Sequence, residues 1–235
     1  MDRLAVIREQ EKRYHDYCYE NYTLFAEGSW LNKPVITVLD LLPLIKDKKN
    51  IQVLDLGCGV GRNSIPIAEA IKGNNGKVVC VDLLDSALEK LKQYREEYQV
   101  REIIHLIKAD IGSFEIQRDT YDFILAVSAL EHVESVEVLE MVIKQMADGT
   151  KSGGVNCLVV NTDVEEINSE TNGKADAQME VNLSTNEMLE LLSKNYYRWE
   201  LLKSEVKPLQ YLIHRGKHNI LLKTNAITYV VQKKK

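Results

Sequence analysis

The sequence predicts an α/β fold in which a mostly parallel sheet is covered by helices on both faces. The chain has 235 residues, a length at which α/β folds commonly form one domain. From residue 51 onward, five short apolar runs alternate with helical patterns, as βαβ crossovers require. Glycines follow the first of these runs directly, which is typical of a ligand-binding turn between a strand and a helix.

The first fifty residues are predicted to form a helical cap. Apolar residues between Leu4 and Cys18 recur at near-helical spacing among charges, and a second helix is expected through Val38 and Leu42. Two interpretations stay open, a cap over one end of the sheet and a lid that carries substrate contacts. The lid would use the aromatic residues of this segment, namely Tyr14, Tyr17, Tyr19, Tyr22 or Trp30.

Residues 51–235 are predicted to form the main domain. Its strands are expected at 51–56, 77–81, 103–107, 121–127 and 155–160, and two more near 199–206 and 226–231. Its helices are expected at 63–71, 86–98, 136–146 and 185–192. The segment near 163–184 has few large apolar residues and is predicted to be a loop insertion.

Composition excludes several classes of protein. Lys plus Arg number 30 against 35 Asp plus Glu, and this acidic balance argues against a nucleic-acid partner. The four cysteines have no metal-binding or disulfide spacing, so we expect no metal and a reduced compartment. No apolar run approaches the roughly 18 residues of a membrane span. We therefore expect a cytoplasmic protein without a membrane partner, either a monomer or a homodimer.

The glycine loop predicts a nucleoside-bearing cofactor. Gly57, Gly59 and Gly61 let the backbone turn tightly and approach a ligand, and Asp82 ends the next strand, where a carboxylate can hold two ribose hydroxyls. A dinucleotide fingerprint would need glycine at the position of Arg62, which disfavours a nicotinamide-dependent oxidoreductase. Asp55 suits the amino group of an amino-acid moiety better than it suits a pyrophosphate.

Residues 52–160 resemble the class I S-adenosylmethionine-dependent methyltransferases. The resemblance rests on DLGCGVGRNS, VVCVDLLDSAL, IKADI, YDFILAVSALEHV and KSGGVNCLVV, the last of which has Ser152 where the family usually has proline. The resemblance implies a Rossmann-like, doubly wound, seven-stranded sheet with one antiparallel C-terminal strand. It also implies methyl transfer from S-adenosylmethionine, with S-adenosylhomocysteine as the product.

The resemblance assigns residues to the parts of this cofactor. The methionine end would lie over the glycine loop near Asp55, the ribose on Asp82, and the adenine beside Leu83 with its amino group on Asp110. Asp110 could instead only cap the turn before Gly112. The full set of cofactor-binding residues implied is Asp55, Gly57, Cys58, Gly59, Gly61, Arg62, Asn63, Asp82, Leu83, Asp110, Ile111, Val127 and Ser128.

Three residues are candidates for catalysis. His132, just past the fourth strand, is placed to act as a general base, or else it orders its loop. His214 and Arg215 match a pair found in the tellurite-resistance methyltransferase subgroup, which the C-terminal half resembles. The resemblance implies that Arg215 holds an oxyanion such as tellurite or selenite, whereas a hairpin tip in water is the alternative.

The predicted function is therefore methyl transfer to a small acceptor, by in-line displacement. The acceptor would be a tellurite- or selenite-like oxyanion, a thiol or another small metabolite. A catalytically silent S-adenosylmethionine-binding regulatory module is the alternative.

Overall fold

A single twisted sheet organises the protein, as a computed structural model shows. The model describes residues 3–215 and 218–235, without side-chain detail at positions 214, 215 and 218. The strands are β1 (Gln52–Leu56), β2 (Lys77–Asp82), β3 (Ile104–Lys108), β4 (Tyr121–Val127), β5 (Thr150–Asn168), β6 (Lys174–Ala175), β7 (Glu200–Arg215) and β8 (His218–Gln232). Their order is β3-β2-β1-β4-β5-β8-β7, and the short β6 pairs with β5.

The pairing confirms the predicted fold class. β1 to β5 pair in parallel, whereas β8 runs antiparallel to both β5 and β7. Strand order reverses at β1, because β2 lies on one side of it and β4 on the other. Open parallel sheets bind ligands outside the carboxyl ends of the strands at such a switch point.

Helices cover both faces of the sheet. They are α1 (Arg3–Asn21), α2 (Ile36–Leu41), α3 (Ser64–Ala70), α4 (Asp85–Glu97), α5 (Val136–Gly149) and α6 (Thr185–Asn195), with short 3-10 turns at Trp30–Asn32, Leu42–Leu44 and Leu130–His132. Residues of α1 to α4 join one apolar core, and residues of α5 and α6 join a second core on the opposite face. Among the described residues, no helix is long and apolar enough to cross a membrane.

The helices α4 and α6 begin in different ways. α6 begins at a capping box, in which the Ser184 hydroxyl accepts from the Glu187 backbone N–H and the Glu187 carboxylate accepts from the Ser184 N–H. At the start of α4, Asp85 is the first helical residue, and its carboxylate pairs with Lys108 at 2.6 Å.

The C-terminal half contains more strand than the sequence predicts. β5 continues through residues 163–168, where a loop is expected, and β7 and β8 form a long hairpin beside it. The loop prediction fails at Glu166, because this acidic residue is buried and its carboxylate accepts from the backbone N–H of Gln178 at 3.1 Å. A half-buried strand is recognised in a sequence by apolar residues at every second position. A glutamate at one of the buried positions interrupts that pattern.

Candidate functional site

The glycine loop between β1 and α3 is tightly packed against the end of β4. Gly57 has φ +71°, and a Cβ added there would lie 2.4 Å from the Cβ of Ala129. A side chain at this position would therefore be both strained and blocked. The loop is fixed to β2 because the N–H groups of Gly57 and Cys58 both donate to the Val81 carbonyl.

Two buried carboxylates lie beside the loop. Asp82 accepts from the N–H of Gly59 at 2.8 Å and from the N–H of Leu84 at 2.9 Å. Asp55 is fully buried and accepts from the Ser64 hydroxyl at 2.5 Å. Burial raises the pKa of Asp55 to about 7 despite that hydrogen bond, which means that a cation placed nearby would favour its charged form.

The side of the site predicted for adenine lies at the ends of β2 and β3. Asp110 caps the turn through the N–H of Gly112 at 2.8 Å, and its other oxygen meets the Arg8 guanidinium at 2.9 Å. Leu83 is exposed and Ile111 is buried. Asp110 therefore caps its turn, as one of the two interpretations expects. A ligand that binds its other oxygen would have to share that oxygen with Arg8 or displace Arg8 from it.

Helix α1 covers the glycine loop. The Tyr19 hydroxyl is 3.1 Å from the point where a Cβ of Gly59 would be, and Tyr19 is buried. One turn earlier, Asp16 accepts from the Ser86 hydroxyl at 2.5 Å. With the Arg8 contact, these interactions hold α1 against the glycine loop, α4 and the turn after β3, so access to the glycine loop depends on α1.

The loop residues Arg62 and Asn63 face the N-terminal segment. Arg62 donates to the Trp30 carbonyl at 2.9 Å and lies over the Trp30 ring at 5.0 Å. The Asn63 side chain accepts from the N–H of Val35 at 3.0 Å. Both side chains therefore tie residues 30–35 to the glycine loop. The neighbouring Cys58 is also buried, and burial raises the pKa of its thiol, so it is a poor nucleophile.

The end of β4 has a strained backbone. Val127 is buried, and the exposed Ser128 has φ +49°, a left-handed conformation that is uncommon for a residue with a side chain and clusters at functional sites. Glu131 follows, fully buried, and one of its oxygens accepts from the backbone N–H of Asn161 at 3.1 Å and from its side-chain amide at 2.6 Å. The Asn161 amide also lies 3.4 Å from the Ser128 hydroxyl.

His132 carries a proton at neutral pH. Burial alone would lower its pKa, but the 2.9 Å contact of Nδ1 with Glu180 and the charges of Glu131 and Glu11 raise the pKa to about 9. A doubly protonated imidazole cannot accept a proton, so in this state His132 is a cation that donates to Glu180, and its role as a general base stays a prediction.

The hairpin tip lies partly outside the described residues. His214 and Arg215 end β7, paired in register with Asn219 and His218, but their side chains are among the undescribed ones. Burial lowers the pKa of the Arg62 guanidinium, and Tyr211, three residues before His214, is near enough to oppose that shift. The distal part of the hairpin therefore approaches the glycine loop, and the acceptor role of His214 and Arg215 stays a prediction.

Three residues of α1 at the site, Arg8, Glu11 and His15, were not predicted, whereas Tyr19 was among the lid candidates. Arg8, Glu11, His15 and Tyr19 recur every three or four residues and so share one face of the helix. His15 lies edge-on to the Trp30 ring at 5.9 Å between centroids. The helical spacing of these residues indicates one shared face of α1, but it does not show that this face meets the glycine loop.

Comparison with known proteins identifies the central segment. A methyltransferase domain family matches residues 53–154. Sterol 24-C-methyltransferase of Debaryomyces hansenii is 28% identical over 107 residues, which are 46% of this chain and 27% of that protein. Carboxy-S-adenosyl-L-methionine synthase of Shewanella piezotolerans is 27% identical over 109 residues, which are 45% of this chain and 42% of that protein. The chain thus spans less than half of each of these relatives.

The overall fold also has solved counterparts. TehB from Haemophilus influenzae superposes with a TM-score of 0.65 over 94% of this chain and 67% of its own, at 24% identity. This likeness includes the C-terminal hairpin region and shows a common fold.

The residues at the switch point fit an S-adenosylmethionine nucleoside. The glycine loop has no room for side chains at Gly57, and Asp82 lies at the end of β2. The ammonium group of the cofactor would favour the charged form of the buried Asp55. Residues 53–154 therefore match a methyltransferase domain, and the chain has the same fold as TehB.

Proposed function

We propose that this chain transfers a methyl group from S-adenosylmethionine to a small-molecule acceptor by in-line displacement. The observation that carries the proposal is the glycine loop, which packs against Ala129 and is bonded to Asp82 at the topological switch point. When bound there, S-adenosylmethionine supplies an electrophilic methyl group. The protein's own contribution is alignment, which can be worth roughly 7–11 kcal/mol in well-oriented reactions.

The cover provided by α1 supports a small acceptor. Arg8 and Asp16 hold the helix to Asp110 and Ser86, and Tyr19 lies on the glycine loop. A polymer would need an open groove along the carboxyl edge of the sheet, whereas a small molecule can be enclosed beneath the helix. The resemblance of the hairpin to the tellurite-resistance subgroup supports an oxyanion or thiol acceptor near Arg215, within the same small-molecule class.

Calorimetry with S-adenosylhomocysteine, followed by turnover with methyl-labelled S-adenosylmethionine, tests the proposal. We expect binding of the product and transfer of label to at least one small acceptor. Binding without transfer to any acceptor would favour a silent regulatory module. Absence of binding would contradict the proposal itself.

A further inference from the structure

Five titratable residues meet between α1 and the loop after β4, and we call them the acceptor cluster. They are Glu11, His15, Glu131, His132 and Glu180. His132 joins them, because Nδ1 is 2.9 Å from Glu180 and its charge interacts with Glu131, Glu11 and His15. The cluster adjoins Ser128 through Asn161 and adjoins the glycine loop through Tyr19, whose ring lies 5.6 Å from that of His15.

Two buried atoms of the cluster lack a hydrogen-bond partner within the described part of the chain. One is Oε2 of Glu131, a residue with no exposed surface, whose other oxygen is held by Asn161. The other is Nδ1 of His15. Unsatisfied buried polar atoms are costly and call for a partner, which a bound ligand can provide. A carboxylate oxygen accepts only, so the ligand must bring a donor hydrogen.

The two histidines differ in protonation state. Burial lowers the pKa of His15, an effect that the charge of His132 reinforces and that Glu11 and Asp16 oppose. His15 is therefore neutral at pH 7 and can accept a proton, whereas His132 is a cation bound to Glu180. The groups around the His15 ring are Glu11, Asp16, Tyr14 and Tyr19 on its own helix, and Trp30 and His132 from other segments.

We propose that the acceptor cluster binds an amine, with Glu131 holding its ammonium group and His15 taking the proton that must leave before methyl transfer. This inference rests on the proposed function and names its acceptor class. An ammonium group brings three donor hydrogens and a positive charge to a place lined by three carboxylates. An oxyanion such as selenite or tellurite would meet the same carboxylates, and the described part of the cluster offers it one cation, His132, which Glu180 already holds.

The reaction then balances as a simple substitution. The ammonium group gives one proton to His15, and the nitrogen lone pair so freed forms a bond to the methyl carbon of S-adenosylmethionine. The bond between that carbon and sulfur breaks, and its electrons stay on sulfur. The product is a methylated ammonium ion, and the proton on His15 passes to solvent.

A labelled-methyl assay with a fixed panel tests the inference. The panel contains small primary and secondary amines, small thiols, selenite and tellurite, each assayed with the full chain. We expect label in an amine. Label confined to the oxyanions or thiols, or no label in any amine, would overturn the amine inference. If S-adenosylhomocysteine binds in the same samples, the proposed function survives that failure.

Two substitutions separate acceptor binding from cofactor binding. With the best amine, we expect Glu131→Gln to lower kcat/KM at least ten-fold, and His15→Gln to lower kcat at least ten-fold. In both variants the calorimetric affinity for S-adenosylhomocysteine should stay within two-fold of the parent, which also shows that they fold. Glu134→Gln and His105→Gln, at exposed positions, serve as matched controls that should leave turnover unchanged.

The pH profile distinguishes proton transfer from a structural role. If His15 takes the proton, kcat of the parent should fall at low pH as His15 becomes protonated. This fall should be absent in His15→Gln and present in Glu131→Asp. Loss of turnover without a change in that fall would show that His15 only packs beside the site, and would overturn its assignment.

Discussion

At the scale of single residues, the site depends on carboxylates whose environment the sequence could indicate only in part. Asp55 and Asp82 could be identified from their positions at the ends of two successive strands. His15 could not, because a histidine among charged helix residues is most often a surface residue. Its partly buried position depends on the packing of α1 against Trp30, which local sequence does not determine.

Asp82 provides the sharpest test of the cofactor site. We expect Asp82→Ala to weaken S-adenosylhomocysteine binding roughly 10- to 100-fold, because a hydrogen bond to a charged group is worth about 1.5–3 kcal/mol and the loop loses its tie to Gly59. Isothermal calorimetry measures the change. Asp85→Ala is the matched control, since Asp85 lies three residues after Asp82, is exposed and pairs with Lys108. Equal effects of the two variants would contradict the assignment.

His132 predicts how stability depends on pH. Its pKa is about 9 in the folded protein and about 6.5 when unfolded, so the folded state binds the proton more tightly. The stability that this provides is complete below pH 6.5 and is lost as the pH rises through 9. We therefore expect His132→Gln to lower the free energy of unfolding by about 2–3 kcal/mol more at pH 6 than at pH 10.

Urea unfolding of the parent and of His132→Gln at the two pH values measures this difference. The same cost at pH 6 and pH 10 would show that His132 is not protonated in the folded state. His105→Gln is the control, because His105 is exposed on β3.

At the scale of elements, α1 combines packing with contacts to the site. Its buried residues Ile7, Cys18 and Tyr19 fix the helix to the core, while Arg8 reaches Asp110. The helix itself was predictable from its apolar stripe. Its place over the glycine loop was not, because that depends on contacts with residues more than sixty positions away along the chain, such as Ser86.

We expect the Arg8 contact to slow release of the cofactor product. An ion pair between partly exposed side chains is worth up to about 1 kcal/mol, so Arg8→Ala should raise the dissociation rate of S-adenosylhomocysteine by roughly two- to five-fold. Stopped-flow displacement measures this rate. Arg13→Ala is the control, since Arg13 lies on the same helix and pairs only locally with Glu9. Slower dissociation in Arg8→Ala would instead show that Arg8 competes with the ligand for Asp110.

The strands show where sequence patterns stop being informative. β1, β2 and β4 are almost fully buried runs and were predicted within a residue or two. The outer part of β5 was missed because Glu166 occupies a buried position. Most of β7 was missed because nearly all its described residues are exposed, so neither face carries an apolar alternation. Long-range pairing with β8 determines that strand.

At the scale of the whole molecule, the cofactor site is enclosed by parts of the chain that are distant in sequence. α1 meets Asp110 and Ser86, and Arg62 meets Trp30 and approaches Tyr211 of the hairpin. The N-terminal segment and the hairpin therefore both border the loop that would hold the nucleoside. A ligand that binds only when the N-terminal segment and the hairpin are closed over the loop would stabilise this closed arrangement.

Hydrogen exchange tests this linkage. We expect saturating S-adenosylhomocysteine to slow amide exchange at least ten-fold in α1 and in residues 57–64, because leaving the site requires α1 to separate from Asp110 and the glycine loop. The part of β8 that pairs with residues 155–160 of β5 lies in the sheet core and should exchange equally slowly with and without ligand. Protection of residues 57–64 without any change in α1 would show that α1 is a fixed cap and that the ligand enters by another route.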